Sequence, residues 1–134
     1  MAKIVVYEDS PTDAVIRYGP VARAHDVTVY IHNLSSLFHN GKLSDLDASD
    51  FTDEGFDPDK IKQLQPEEPI EDADLYFVDG LQGYCFTQLE KLPKSKTYLA
   101  SGNIAIQSEA KSRGYKTTQP ENLLELVSGA LKQK

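Results

Sequence analysis

The chain has 134 residues, of which 40% are hydrophobic, and it carries a formal net charge of −7. This length and composition suit one ordinary domain with a single core. The negative balance argues against nonspecific binding to nucleic acid or to an anionic membrane, because both need a cationic face.

The first predicted strand is the apolar run at residues 3–7, which ends at the acidic pair Glu8 and Asp9. Ser10 is a good helix cap, and the proline that follows it suits the first helical position, so a helix is predicted to begin here. A Gly-Pro pair at 19–20 interrupts the helical spacing, because proline loses one backbone bond and clashes with the preceding turn. We therefore expect a kink or two short helices.

A second strand is predicted at residues 26–33, where apolar and polar residues alternate. The next forty residues, 34–73, show little pattern. They overlap an acidic run, since residues 44–74 contain twelve Asp or Glu and two Lys. Residues 35–38 could form a helical turn and residues 58–64 a short helix. We interpret 34–73 as an atypical acidic insertion whose order and role stay open, since loops of this length tend to be functional or mobile.

Strands and helices alternate through the second half of the chain. Strands are predicted at residues 74–79, 96–100 and 115–118, and helices at 87–92, 104–113 and 120–131. The alternation implies a parallel sheet with right-handed crossovers. Asp79 ends the third strand as Glu8 and Asp9 end the first, at the edge where open α/β sheets bind ligands. A divalent ion such as Mg²⁺ would offset the repulsion among three converging carboxylates.

Four segments together resemble response-regulator receiver domains, the phosphoacceptor modules of two-component signalling. IVVYEDSPTDAVI is similar to their first strand, acidic pair and first helix, and DLYFVDGLQG to the strand that ends in the phosphorylated aspartate. YLASGN resembles their fourth strand with its small hydroxyl residue, and RGYKTTQPENLLELV their final strand, proline and last helix. The resemblance implies one flavodoxin-like α/β domain over residues 1–134. Its doubly wound sheet would have five parallel strands. Segment 34–73 would be an enlarged acidic connection between strands two and three.

The resemblance also implies a site. Asp79 would be the phosphoacceptor, and Mg²⁺ would be held by Glu8, Asp9, Asp79 and the backbone carbonyl of Leu81. Ser101 would hydrogen-bond a phosphoryl oxygen once Asp79 is modified. The carboxylate would attack a phosphoryl donor while Mg²⁺ neutralises the charge on the transferring oxygens. No catalytic residue is assigned.

The sequence departs from the receiver pattern at the position that usually holds a lysine. That residue stands directly before the proline after the fifth strand, and here it is Gln119. Glutamine cannot supply the cation that pairs with a phosphoryl group. Lys116 lies three residues earlier and would sense the phosphate only if the strand were shifted. The proline usually found soon after the phosphoacceptor is missing from DGLQGY.

Three functions are compatible with the sequence. The first is a stand-alone receiver-like domain, not an enzyme, that a sensor kinase phosphorylates at Asp79 and that switches protein partners. The second is a pseudo-receiver, in which the same fold is a phosphorylation-independent interaction module and residues 44–74 are the candidate partner surface. The third is a metal-dependent phosphatase, which is less favoured because position 81 is Leu rather than a second acid.

The expected partners are proteins, namely a sensor kinase or a downstream target, with no nucleic acid and no membrane. No apolar run approaches the roughly 18 residues that span a bilayer, and no signal-peptide pattern precedes the first strand. The lone Cys85 cannot form an internal disulfide, so a reducing cytoplasm is the expected compartment. The sequence leaves the oligomeric state open.

Overall fold

The computed structural model describes residues 2–8, 11–31, 38–39, 42–43, 56, 58–64, 69–79, 85–119 and 123–132. The strands are β1 (Lys3–Glu8), β2 (Asp26–Ile31), β3 (Phe38–His39), β4 (Lys42–Leu43), β5 (Ile61–Gln63), β6 (Leu75–Val78), β7 (Thr97–Ala100) and β8 (Lys116–Thr118). The helices are α1 (Pro11–Ala24), α2 (Cys85–Glu90), α3 (Ile104–Ser112) and α4 (Leu123–Lys132). Short 3₁₀ turns at Pro58–Lys60 and Lys94–Lys96 lead into β5 and β7.

Six of these strands form one sheet in the order β5-β2-β1-β6-β7-β8, and every neighbouring pair is parallel. The predicted α/β class, with a parallel sheet flanked by helices, is therefore confirmed. The chain moves outward from β1 through β2 to β5, then returns to the other side of β1 at β6. Such a reversal is the switch point at which open sheets leave a crevice beyond the carboxyl ends of their strands.

The register at the switch point brings two acidic residues to one edge. Tyr7 of β1 pairs with Val78 of β6, so Glu8 and Asp79 each come one residue after this pair. The backbone N–H of Asp79 donates to the carbonyl of Tyr7 at 2.9 Å, which extends the pairing to the end of both strands.

Both faces of the sheet are covered, which explains why β1 and β6 are continuous apolar runs rather than alternating ones. One face packs against α1 and α4, through a core that includes Ala14, Tyr18, Val21, Leu123 and Val127. The other face packs against α2 and α3, through Cys85, Leu89 and Ala110. In the described part of the chain, none of the helices has the length and apolar character needed to cross a membrane.

The described sheet has one strand more than the five predicted, because β5 comes from the segment expected to be an insertion. The expectation of a helix over 58–64 is wrong: a 3₁₀ turn at Pro58–Lys60 passes directly into β5. Ile61 pairs with Val29 of β2 and is only 4% exposed. A strand of three residues is too short for alternation to reveal it, so its contact with β2 decides its conformation.

Two further expectations change. Of residues 35–38, which were expected to form a helical turn, 35–37 lie outside the described residues, and Phe38 belongs to β3, which pairs antiparallel with β4. Only two residues, Asn40 and Gly41, separate these strands in sequence, and Asn-Gly is a strong hairpin signal. A kink or two short helices were expected at 19–20, and the second alternative is wrong, since α1 is one helix that contains Pro20.

Candidate functional site

Two carboxylates and one guanidinium meet at the carboxyl edge of β1 and β6. Nη1 of Arg17 lies 3.5 Å from Oε2 of Glu8 and 3.3 Å from Oδ1 of Asp79. A single nitrogen atom therefore contacts both acids that the sequence places at this edge. The contact with Asp79 also meets the geometry of a hydrogen bond in which Arg17 donates.

The fold explains how Arg17 reaches this edge. Helix α1 begins just past the carboxyl end of β1 and packs back along the sheet through Ala14, Tyr18 and Val21. Arg17 lies beside that buried stripe, and side chains of a helix lean toward its N-terminus. The long arginine side chain therefore extends back toward the strand ends, where its head group meets the acids.

These three side chains differ in their exposure to solvent. The Glu8 side chain is 0% exposed, that of Asp79 is 14% exposed and that of Arg17 is 23% exposed. Attraction between charges is stronger in such a setting than on an open surface, because little water screens it. A buried carboxylate also needs a nearby positive group to offset its lost hydration. Arg17 supplies that charge to the fully buried Glu8.

Tyr18 adds a buried polar group next to these charges. Its side chain is 0% exposed, and its ring packs against Phe77 with centroids 5.8 Å apart. Burial, together with the negative charges of Glu8 and Asp79, raises the pKa of the Tyr18 phenol well above its ordinary value. Among the residues that the structure describes, its hydroxyl has no hydrogen-bond partner. Tyr18 is therefore a neutral phenol that faces an anionic site.

Ser101 follows β7 at the same edge of the sheet and is 4% exposed. Its Oγ accepts the backbone N–H of Asn103 at 3.1 Å, and its carbonyl accepts a hydrogen bond from the side chain of Gln107. Asn103 in turn caps α3, since its Oδ1 accepts the N–H of Ile106 at 3.1 Å. Ser101 is thus part of the turn that begins α3, and its hydroxyl proton is still available for donation.

The structure does not bring Lys116 to the carboxylates. Lys116 is the first residue of β8 and pairs with Tyr98, near the amino ends of the strands. Its Nζ donates to the carbonyl of Ser95 at 2.8 Å, in the turn that precedes β7. The strand is not shifted in the way that a phosphate-sensing lysine would require. Gln119, at the position where receivers carry a lysine, is exposed.

Two residues of the predicted metal site, Asp9 and Leu81, lie outside the described residues. Sequence reasoning did not single out Arg17. A signal for it exists, because Arg17 is the first basic residue after the acidic strand end and flanks the apolar stripe of α1. An arginine at this position of α1 lies near the carboxyl ends of the strands when the apolar stripe of the helix packs on the sheet.

The described residues do not by themselves form a metal centre. Among them, no group of three or more His, Cys, Asp or Glu side chains could hold an ion. Of the four ligands that the receiver resemblance implies, the two described here both contact Arg17. A Mg²⁺ ion would lie about 2.0–2.1 Å from its ligand oxygens. It would therefore compete with Arg17 for the same two carboxylates.

The chain was compared with protein-family models, with curated proteins and with solved structures. None of these three comparisons finds a match.

Proposed function

We propose that this chain is a pseudo-receiver, an α/β protein-interaction module whose acidic site is partly neutralised from within by Arg17 rather than by Mg²⁺. The observation that carries the proposal is the double contact of Arg17 Nη1, at 3.5 Å from Glu8 and 3.3 Å from Asp79. A parallel sheet flanked by helices is compatible with the flavodoxin-like fold of receivers.

Electrostatics supports this reading. Phosphoryl transfer to a carboxylate depends on cations that neutralise the charge on the transferring oxygens. A bound Mg²⁺ would place two positive charges beside a guanidinium that already uses the same oxygens. Metal binding must therefore displace Arg17 or overcome its repulsion. The internal ion pair makes the resting site stable without metal.

Receiver domains also place a lysine beside the phosphoryl group, and neither described candidate for that role supplies a cation at this site. Lys116 donates to Ser95 at the opposite edge of the sheet, and Gln119 carries no charge. A phosphoryl group on Asp79 would draw on the guanidinium of Arg17, which already contacts both Glu8 and Asp79. Glu8 is fully buried, so any weakening of its contact with Arg17 carries a cost that opposes phosphorylation.

Partner binding then depends on a feature that phosphorylation does not alter. The acidic residues of 44–74 are the candidate, because twelve acids and two lysines give this segment a charge of −10, although residues 44–55, 57 and 65–68 lie outside the described residues. A partner that recognises it must be cationic, and its affinity should fall as ionic strength rises. In this proposal the substitution Asp79→Asn leaves partner binding unchanged.

A Mg²⁺-dependent phosphoacceptor at Asp79 is a second candidate, and the exposure of this residue favours it. The Asp79 side chain is 14% exposed, whereas that of Glu8 is fully buried. Asp79 is thus the acid that a phosphoryl donor could reach. Arginine also binds phosphate oxygens well through paired N–H groups. Arg17 would then change partners from carboxylate to phosphoryl group, and a sensor kinase would be the expected donor.

One experiment separates the two candidates. Mg²⁺ and beryllofluoride, an acyl-phosphate mimic, are added to ¹⁵N-labelled protein, and amide shifts are followed at Asp79 and Ser101. Amide NMR suits this chain because it contains no tryptophan for fluorescence. We expect no Mg²⁺-dependent beryllofluoride response in the wild type. Saturable shifts that need both additions would overturn the pseudo-receiver and support the phosphoacceptor.

The variant Arg17→Gln tests the role of the guanidinium in the same measurement. Without the internal cation, Mg²⁺ should perturb the Asp79 amide at concentrations that leave the wild type unaffected. Arg23→Gln is the matched control, because it removes one arginine charge from the exposed last turn of α1. Equal Mg²⁺ responses in wild type, Arg17→Gln and Arg23→Gln would contradict the competition between ion and guanidinium.

A further inference from the structure

A second polar site lies at the opposite edge of the sheet, near the amino ends of β6, β7 and β8. A cavity of about 180 Å³ opens there. Its polar lining includes Asp74, Ser95, Lys96, Tyr98 and Lys116. Two lysines thus line one small cavity that has no part in the carboxylate site.

These two lysines differ from the paired lysines elsewhere in the sheet. Lys3, Lys60 and Lys62 each form an ion pair with an acid. By contrast, no carboxylate of a described residue lies within 4.0 Å of the Lys96 or Lys116 ammonium. Lys96 Nζ donates to the carbonyl of Ala73 at 3.3 Å, and Lys116 Nζ donates to the carbonyl of Ser95 at 2.8 Å.

Both ammonium groups keep donor capacity. Each has three N–H donors, and one carbonyl contact uses one of them. Lys116 Nζ also lies 5.3 Å from the centroid of the Tyr98 ring, which holds this side chain over the half-buried ring. The hydrogen bonds to these two backbone carbonyls orient the lysine side chains without neutralising their charges.

Asp74 is the one acid in the lining, and its position is set by the strand ends. Its Oδ2 accepts the backbone N–H of Lys3 at 2.8 Å. The cavity therefore has two positive groups and one negative group. The segment that supplies most of the lining is cationic, since residues 91–116 contain six Lys or Arg and a single acid, Glu109, whereas Glu71 and Asp72 precede Asp74 on the other side of the cavity. This local excess of positive charge attracts anions despite the negative charge of the whole chain.

We propose that this cavity binds a small oxyanion, a carboxylate or phosphate, between the ammonium groups of Lys96 and Lys116. Its volume supports a single anionic group rather than a larger ligand, because pockets for drug-sized molecules span about 300–1,000 Å³. Ser95 also lines the cavity, and its hydroxyl would be a further donor to such an anion. This site is separate from Glu8, Arg17 and Asp79, so its test does not depend on the proposed function.

The test is a titration of the ¹⁵N-labelled full chain in a low-salt buffer, with inorganic phosphate in one arm and acetate in the other. Saturable amide shifts at residues 95–98 and 116 are expected in at least one arm. Saturation by phosphate alone identifies a phosphoryl ligand, and saturation by acetate alone identifies a carboxylate. Lys96→Gln and Lys116→Gln should each weaken binding roughly tenfold or more, because each removes a charge-assisted hydrogen bond.

Two matched variants keep the result interpretable. Lys111→Gln removes an exposed lysine from α3 that does not line the cavity, so it should bind as the wild type does. Lys96→Arg keeps the charge and should retain binding, which separates loss of the cation from loss of the fold. Shifts that rise linearly with anion in both arms would overturn the proposal, as would equal weakening by Lys96→Gln and Lys111→Gln.

Discussion

Arg17 and Asp79 are joined across 62 residues of sequence by a hydrogen bond of 3.3 Å. The bond ties α1 to the end of β6, although α1 follows β1 in the chain. Because the same nitrogen lies 3.5 Å from Glu8, one helix residue links the ends of the two central strands. The chain itself thus places a cation at the edge where these two acids meet.

Removal of this guanidinium should destabilise the protein. Arg17→Ala removes the guanidinium that lies 3.5 Å from the fully buried Glu8. Loss of one partner from a buried pair costs about 3 kcal/mol, and the partial exposure of Arg17 makes this an upper value. The measurement is the free energy of unfolding in urea, with and without MgCl₂. We expect Mg²⁺ to recover part of the loss in Arg17→Ala and to add less to the wild type.

Lys111→Ala, which removes an exposed positive charge from the last turn of α3, is the control for the change in net charge and should alter the free energy of unfolding by no more than about 0.5 kcal/mol. A similar loss in both variants would mean that charge balance matters rather than the site. A loss in Arg17→Ala that Mg²⁺ leaves untouched would contradict the idea that ion and guanidinium serve the same carboxylates.

The sequence was a good guide to the central strands and to the edge at which the acids meet. β1 and β6 are short apolar runs with acids directly behind them, as expected for strands that are buried on both faces of a sheet. The order of strands and helices then predicts a parallel sheet, which places Glu8 and Asp79 at one edge. The apolar pattern of each strand and the order of strands and helices along the chain together predict the central strands and the edge that holds the two acids.

The contacts of single side chains could not be predicted in the same way. β5 is a strand because Ile61 pairs with Val29, a tertiary contact that three residues cannot signal. The partners of Arg17 depend on how α1 packs against the sheet, which helical periodicity leaves open. Lys116 was three residues from the expected lysine position, yet the register of β8 directs it to Ser95. Distances of this kind follow from packing and not from spacing along the chain.

Tyr18 and Tyr30 should respond in opposite ways when their hydroxyls are removed. Tyr18 is buried, and its hydroxyl has no hydrogen-bond partner in the described part of the chain, so Tyr18→Phe should be neutral or stabilise by up to about 1 kcal/mol. The Tyr30 hydroxyl donates to the carboxylate of Glu71, so Tyr30→Phe should cost about 1.5–3 kcal/mol. Urea unfolding measures both. A larger loss for Tyr18→Phe than for Tyr30→Phe would reveal a partner for the Tyr18 hydroxyl.

The ionisation of Glu71 should make the free energy of unfolding depend on pH under acidic conditions. Partial burial alone would raise its pKa, but hydrogen bonds from Tyr30, Lys3 and Lys62 outweigh that effect and lower the pKa to about 2 from 4.5. Because the folded-state pKa lies below the unfolded one, this stabilisation is present above about pH 4.5. It disappears as the pH falls toward 2.

The variant Glu71→Gln isolates this contribution. It should lower the free energy of unfolding at pH 7 by on the order of 2 kcal/mol. The difference from the wild type should shrink steadily in measurements taken below pH 4. Glu90→Gln, which changes an exposed acid on α2, is the comparison. If the Glu71→Gln difference stayed constant down to pH 2.5, the ion pairs of Glu71 would not be its source.

Cys85 should be protected from thiol reagents while the protein is folded. It is 0% exposed at the start of α2, and burial together with the nearby charge of Asp79 raises the pKa of its thiol. Only the thiolate reacts readily, so both accessibility and ionisation disfavour modification. Reaction with a chromogenic disulfide at pH 8 should follow unfolding, and it should be immediate in urea. Fast labelling of the native protein would show that α2 leaves the sheet without global unfolding.

Substitution of Gly114 and of Gly129 by alanine should change the stability of the protein in opposite directions. Gly114 follows α3 with φ at +85°, a conformation that L-residues avoid, so Gly114→Ala should cost about 1–2 kcal/mol. Gly129 lies within α4, where an added Cβ would meet nothing within 4 Å, so Gly129→Ala should stabilise by about 0.5–1 kcal/mol. Thermal unfolding of both variants checks the signs. Destabilisation by Gly129→Ala would mean that this face of α4 is covered by something that an added methyl group displaces.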